Sequence, residues 1–101
     1  MTSDTPYTPI IKEARLSALG QVGEMLKQHE ITSVAEFHDL MAAVFVHGGM
    51  EMRRLSDDLG YSFSTVFRWA EGRTAPHQSL WPRITAWVQQ EIAKQCNLHE
   101  A

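Results

Sequence analysis

The sequence predicts an all-α fold for its 101 residues. Apolar residues recur at three- and four-residue spacing in successive segments, as they do along one face of an amphipathic helix. Glycine or proline separates these segments, and no segment alternates polar and apolar residues as a half-buried strand does. The length and the 44% hydrophobic content suit one small domain with a modest core.

The first part of the chain is predicted to be a flexible arm followed by a helix. Residues 1–10 carry two prolines among threonine and serine, so we expect the arm there. Residues 11–30 show helical periodicity. Their apolar stripe consists of Leu16, Leu19, Val22 and Leu26. Because Gly20 and Gly23 weaken this helix, the stripe must pack either on its own domain or on a second copy of the chain.

The second predicted helix begins at a capping box. Ser33 can accept a hydrogen bond from the amide of Glu36, and the Glu36 carboxylate can reach back to the start of the helix. The apolar face that follows consists of Val34, Phe37, Leu40, Met41, Val44 and Phe45. Gly48 and Gly49 are expected to end this helix.

Three further helices are predicted from their caps and stops. A short helix over about Met52–Leu59 stops at Gly60, and Ser62 caps a helix over residues 63–71 that ends at Gly72. The last helix begins near residues 80–82, where proline is tolerated in the first turn. Its apolar face consists of Ile84, Trp87, Val88 and Ile92. Of Trp81 and Trp87, one is expected in the core and the other at a contact between subunits.

Charge is distributed unevenly along the chain, although the net charge is only −3. Residues 1–51 carry three lysines or arginines against seven acidic residues, whereas residues 52–83 carry five arginines against three acidic residues. Any surface that binds a polyanion is therefore expected to lie within the second stretch.

Several function classes are disfavoured by what the sequence lacks. It contains no phosphate-binding or nucleophile motif, and its histidines do not have the spacing of metal ligands. The single cysteine, Cys96, excludes an intrachain disulfide. We find neither a signal peptide nor an apolar run of membrane-spanning length. We therefore expect a cytoplasmic protein that is not an enzyme, with no cofactor, no metal and no membrane partner.

The most informative pattern is a pair of short helices joined at Gly60. Ser56, four residues earlier, is small enough for the second helix to cross close to the first. Glycine adopts the positive φ of such a turn without strain. Tyr61 and Val66 are expected to fill the angle between the helices, and Trp69 to anchor the second helix to the core. This pattern predicts a helix-turn-helix.

The stretch MRRLSDDLGYSFSTVFRWAEGRTAP resembles the lambda-repressor-like helix-turn-helix family of bacterial and phage transcription regulators. The residues that carry the resemblance are Leu55, Ser56, Leu59, Gly60, Ser64, Thr65, Val66, Arg68, Trp69, Gly72 and Pro76. It implies a five-helix DNA-binding domain over residues 33–96, with one helix before the pair and two after it, preceded here by the additional N-terminal helix. It also implies a homodimer that reads a pseudo-palindromic operator in double-stranded DNA. Because the length leaves no room for an effector-binding domain, we expect a repressor.

Within this resemblance the second helix of the pair is the recognition helix. Its outward residues are expected to be Phe63, Ser64, Phe67 and Arg68. Arg68 can read a guanine in a bidentate way, and the two rings can lie against thymine methyl groups. Residues expected to contact the phosphate backbone are Ser62, Ser64 and Thr65 at the helix start, and Arg53, Arg54, Arg73, Thr74 and His77 around it.

The family differs from this chain at several positions of the pair. It often has glutamine at Met52 and at Phe63, a small polar residue at Phe67, acidic residues at Arg53 and Arg54, and alanine at Ser56. The replacement of hydrogen-bonding side chains by rings keeps a second function open, a protein-binding module such as an antitoxin or anti-activator that uses exposed Phe63 and Phe67.

Purely structural roles remain open for several of these residues. Phe63 can fold back onto Tyr61, and Arg68 can pair with Glu71 or Glu51. Ion pairs one helical turn apart, between Arg53 and Asp57 and between Arg54 and Asp58, account for those arginines equally well.

Overall fold

The computed structural model describes the backbone of residues 7–100 and the side chains of residues 13–96. Within that part the chain forms five α-helices and no strand, so the all-α prediction is confirmed. The helices are α1 (Tyr7–Gln28), α2 (Val34–Met41), α3 (Met52–Leu59), α4 (Phe63–Ala70) and α5 (Trp81–Glu100). A π-helical turn, Ala42–His47, continues α2, and a 3-10 turn, Gln78–Leu80, precedes α5.

The N-terminal boundary differs from the predicted one. Helix α1 begins at Tyr7, so residues 7–10 of the predicted arm are helical, and the remainder of that arm lies outside the described residues. Proline is compatible with the first turn of a helix because the amides there have no intrahelical acceptor. The prolines at the start of the chain therefore do not exclude helix at Pro9.

The apolar stripe of α1 packs on its own chain. Leu19 and Val22 are buried in the core, and α1 contacts α5 and the π-helical turn. Gly23 faces α5, where a Cβ at that position would make an ordinary contact with Cγ2 of Ile92 at 3.5 Å. Leu19 and Val22 are therefore covered by their own domain, and contact of α1 with a second copy stays a prediction.

The start of α2 forms most of the predicted capping box. Ser33 Oγ accepts a hydrogen bond from the amide of Glu36 at 3.1 Å. The Glu36 carboxylate reaches one residue further back than expected and accepts from the amide of Thr32 at 2.9 Å. The predicted stop at Gly48 and Gly49 is confirmed, with Gly49 at φ 70°.

The last turns before this stop are wider than those of an α-helix. The amide of Gly48 donates to the carbonyl oxygen of Ala43, five residues earlier, at 2.8 Å. Leu19 of α1 packs against this end of the turn so closely that a Cβ on Gly48 would overlap its Cδ2. The absence of a side chain at Gly48 thus allows α1 to dock.

Aromatic residues form the centre of the core. Phe37 lies edge-on to Trp69, with ring centroids 5.8 Å apart, and stacks on Trp81 at 5.9 Å. Trp87 is also buried and packs against Phe45. The expectation that one of Trp81 and Trp87 lies at a subunit contact is therefore wrong. Both can be buried because their ring N–H groups donate internally, Trp81 to the Pro76 carbonyl and Trp87 to an acidic side chain of α3.

The segment between α4 and α5 contains less helix than the resemblance implied. Two helices were expected after the pair, but the described chain has one 3-10 turn and then α5. Residues 74–77 are non-helical, and Pro76 among them has no amide to donate to a helix. Only three residues then remain before α5 begins at Trp81.

Candidate nucleic-acid interface

The turn between α3 and α4 has the local geometry predicted for Gly60. Gly60 has φ 81°, a left-handed conformation that favours glycine. Its amide and that of Tyr61 both donate to the carbonyl oxygen of Ser56, at 2.9 and 3.1 Å. Ser56 is buried, and its hydroxyl donates to the Arg53 carbonyl, so this small residue leaves no polar atom unpaired.

Both ends of α4 are held by local hydrogen bonds. Ser62 Oγ accepts from the amide of Thr65 at 3.2 Å, as its predicted N-cap role requires. At the other end Gly72 has φ 77°, and the amides of Gly72 and Arg73 donate to the carbonyls of Trp69 and Arg68. These two bonds form a Schellman motif, which satisfies the last carbonyls of a helix.

The inward face of α4 consists of Val66 and Trp69. Both are buried, and Tyr61 packs edge-on against Trp69 with centroids 4.9 Å apart. These contacts and the two caps fix the rotation of α4 about its own axis. The residues on its other side are therefore held in a defined outward orientation.

Phe63 and Phe67 are on that outward side. They are 40% and 41% exposed, and their rings stack on each other with centroids 6.3 Å apart and planes 20° from parallel. The Arg53 guanidinium lies 5.0 Å from the centroid of the Phe63 ring, a cation–π contact. The alternative in which Phe63 covers the core beside Tyr61 is wrong.

Arg68 is exposed in the last turn of α4 and takes part in no ion pair among residues 13–96. Glu71 pairs instead with Arg73, at 3.2 Å between Oε1 and Nε. The suggested pairing of Arg68 with Glu71 or Glu51 is therefore wrong for the described structure. Arg68 retains its charge and donors for a partner.

Three hydroxyl groups meet at the start of α4. Ser62 Oγ lies 2.7 Å from Thr65 Oγ1 and 3.3 Å from Ser64 Oγ. The groups are at the surface, beside the first amides of the helix, where the helix dipole favours an anion. A phosphate oxygen fits this chemistry, although the Ser62 oxygen already serves as the N-cap.

Arg54 has a partner that the sequence reading did not identify. Its Nε lies 2.8 Å from Oε1 of Glu91, and its Nη2 lies 3.4 Å from Oε2. Glu91 is only 1% exposed and also receives the Lys94 ammonium at 3.3 Å. Arg54 therefore attaches α3 to α5. Fewer of its guanidinium donors are free to bind a phosphate than the prediction assumed. The sequence did indicate that Glu91 is buried, because it lies beside Ile92 on the apolar face of the last helix.

The ion pairs suggested within α3 do not form. Arg53 lies over Phe63 rather than beside Asp57, and Asp58 accepts from the Trp87 ring N–H at 2.8 Å. The two arginines thus have different surroundings. Arg53 belongs to the exposed face around Phe63, and Arg54 to the contact with α5.

The remaining predicted residues lie in the loop after α4. Arg73 and Thr74 are exposed, and the Thr74 carbonyl bonds to His38 Nε2 at 2.8 Å. His77 caps the 3-10 turn through Nδ1, which accepts from the amide of Ser79 at 3.1 Å. It also lines a surface cleft of about 690 Å³ at the C-terminal end of α1. The structure thus groups Arg53, Phe63 and Phe67, and separately the three hydroxyls, but it does not join His77 to either group through a side-chain contact.

No group of three or more His, Cys, Asp or Glu among the described residues is arranged to hold a metal ion. Nor does the described chain contain a helix of the length and apolarity needed to cross a membrane. The chain matches none of the protein families, curated proteins or solved structures with which it was compared. Its function is therefore inferred from its own residues.

Proposed function

We propose that this chain is a sequence-specific regulator that binds double-stranded DNA and resembles the lambda-repressor-like helix-turn-helix family. In this proposal α3 and α4 form the helix-turn-helix and α4 is the recognition helix in the major groove. The protein acts without a cofactor and catalyses no reaction. It represses transcription by occupying a pseudo-palindromic operator as a homodimer, with half-sites about one helical turn, ~34 Å, apart.

One observation carries the proposal, the division of α4 into a fixed inner face and an exposed outer face. Val66 and Trp69 are buried, whereas Phe63, Phe67 and Arg68 are exposed along the other side. A recognition helix needs this division, because base edges are read only by side chains whose backbone is held still against the rest of the domain.

The charges around α4 support a nucleic-acid partner. Arg53 and Arg68 are exposed, and among residues 13–96 neither forms an ion pair. Arg73 pairs only at the surface, where an ion pair contributes little and can exchange for a phosphate. Arg68 is the side chain on α4 that can donate two hydrogen bonds to guanine O6 and N7. Hydroxyls and free amides at the start of α4 suit a backbone phosphate.

The exposed rings favour a second candidate, a protein-binding module that acts as an antitoxin or anti-activator. Phe63 and Phe67 form a contiguous apolar surface, and such surfaces often mark protein contacts. The two candidates differ in their response to salt. Binding to DNA through arginines weakens steeply as counterions compete, whereas an aromatic contact with a protein does not.

In vitro selection from random duplexes at two salt concentrations tests the proposal. We expect an enriched inverted repeat that is bound less tightly at higher salt. Arg68→Ala should lose discrimination at one base pair per half-site, by about 1–3 kcal/mol. Arg83→Ala removes the same charge from an exposed position on α5 and is the matched control.

Each outcome of the selection separates a different part of the proposal. An enriched motif without symmetry would support DNA binding but reject the homodimer. If Arg68→Ala and Arg83→Ala lose base discrimination equally, Arg68 contributes its charge and does not read a base. Absence of any enriched motif at either salt concentration would reject the regulator and favour the protein-binding module.

A further inference from the structure

The side chains at the centre of the proposed recognition surface have no hydrogen-bonding atoms. Phe63 and Phe67 occupy two successive turns of the outward side of α4 and are stacked on each other. If α4 faces base edges, as proposed above, the central contact must be apolar. The question is which apolar group of DNA these rings can meet, and the inference rests on the proposed function.

Ring geometry excludes a base held between the two phenyl groups. A planar base between two aromatic planes needs about 7 Å, twice the contact distance of carbon atoms. The centroids of Phe63 and Phe67 are 6.3 Å apart, so their planes cannot be further apart than that. The pair therefore presents a closed apolar surface, which suits a small protruding group better than an inserted base.

The major groove offers one such group. Each base pair presents hydrogen-bond donors and acceptors there, and the apolar exception is the C5 methyl group of thymine. Cytosine methylated at C5 carries a methyl group at the same position. The bases differ beside it, since thymine has an acceptor at O4 and cytosine a donor at N4. Phenyl rings cannot form ordinary hydrogen bonds with either, so they respond to the methyl group rather than to the base.

We propose that the Phe63–Phe67 pair reads the C5 methyl group of a pyrimidine, so that 5-methylcytosine can replace thymine at the contacted position. Arg53 positions the pair by holding its guanidinium against the Phe63 ring. Binding of this protein to a site with cytosine at that position then depends on cytosine methylation. The chemical class recognised is a 5-methylpyrimidine within duplex DNA.

The test uses two pairs of duplexes that differ by one methyl group. Starting from the selected motif, each thymine is replaced in turn by uracil, and each of the same positions is also tested as cytosine and as 5-methylcytosine opposite guanine. At one position per half-site we expect the methylated member of each pair to bind about fourfold more tightly, the effect of burying one methyl-sized group. The gain should be similar in both pairs.

Protein variants show whether the rings cause the effect. Phe63→Ser and Phe67→Ser should each reduce the methyl preference toward onefold. Val46→Ser removes a comparable exposed apolar side chain outside α3 and α4, since Val46 is 64% exposed on the π-helical turn, and should keep the full preference. The wild-type measurements alone test the inference if a phenylalanine variant fails to fold.

The outcomes distinguish this inference from the proposed function. An enriched motif with no methyl preference at any position would overturn methyl reading and leave the regulator intact. A preference that survives both phenylalanine variants would also overturn it, by assigning the methyl contact to other residues. Failure to select any motif would reject the proposed function and this inference with it.

Discussion

Glu91 is a carboxylate buried in the face of α5 that packs on the rest of the domain, and it depends on Arg54 for charge compensation. Its side chain is 1% exposed and lies 2.8 Å from Arg54 Nε. Replacing Arg54 by methionine keeps the apolar stem but removes the guanidinium. Lys94, 3.3 Å away, then remains as the cation beside Glu91 among the described residues.

The expected cost follows from how much of this pair is shielded from water. Removal of one partner from a fully buried ion pair costs about 3–5 kcal/mol, because the other charge is left uncompensated. Here the Arg54 side chain is 49% exposed and Lys94 remains, so solvent screens part of the interaction. We therefore expect Arg54→Met to lower the free energy of unfolding by about 2–3 kcal/mol.

The double variant Arg54→Met with Glu91→Met removes both charges at once. Replacement of a buried pair by apolar residues of similar size is often neutral, so we expect the double variant to lie within about 1 kcal/mol of the wild type. Urea unfolding measures these differences, and the single change should move the midpoint by about 1–2 M for a small domain. Arg83→Met, an exposed change on the same helix, should stay within about 0.5 kcal/mol.

Two results would refute this reasoning about Glu91. If Arg54→Met costs no more than Arg83→Met, the carboxylate does not need the guanidinium. If the double variant is less stable than Arg54→Met alone, the buried position requires a polar group for another reason. The first result would also show that the contact of Arg54 with Glu91 contributes little to holding α3 on α5.

Two further predictions concern the junctions around α1 and α2. Gly48→Ala should lower the free energy of unfolding by about 1–3 kcal/mol, because the added Cβ would lie 2.7 Å from the Val44 carbonyl oxygen and overlap Leu19. Urea denaturation measures this loss, and an unchanged midpoint would contradict the close approach of α1. The hydrogen bond from the Thr32 amide, and then that from His29, lower the pKa of Glu36 from 4.5 to about 2. The stability that Glu36 contributes is therefore complete above pH 4.5 and is lost as the pH falls toward 2. The thermal midpoints of the wild type and of Glu36→Gln should converge over that pH range. Midpoints that stay a constant distance apart would contradict this account.

Local signals predicted the ends of the helices well. Ser33 and Ser62 cap their helices as expected, and Gly60 and Gly72 end α3 and α4 with positive φ. These features depend on residues within one turn of each other, because a cap satisfies amides or carbonyls only a few positions away. For the same reason the sequence separated inward Val66 from outward Phe63 on α4.

Long-range contacts account for what the sequence reading missed. Arg54 and Glu91 are 37 residues apart, and Asp58 and Trp87 are 29 apart. Local spacing favoured the nearer partners one turn away within α3, and no local pattern contradicted that choice. At the candidate site, the contact between Arg53 and Phe63 likewise crosses from one helix to the next.

By itself, the sequence determined the all-α class, the glycine turn between α3 and α4, and which residues of α4 point outward. Helical periodicity and capping are properties of neighbouring residues, so they can be recognised before the chain is folded. Only the tertiary structure decided that the α1 stripe covers its own domain, that both Trp81 and Trp87 are buried, and that Arg54 belongs to Glu91. Each of these depends on which surfaces meet when the helices pack, and that is settled by shape and charge across segments distant in the sequence.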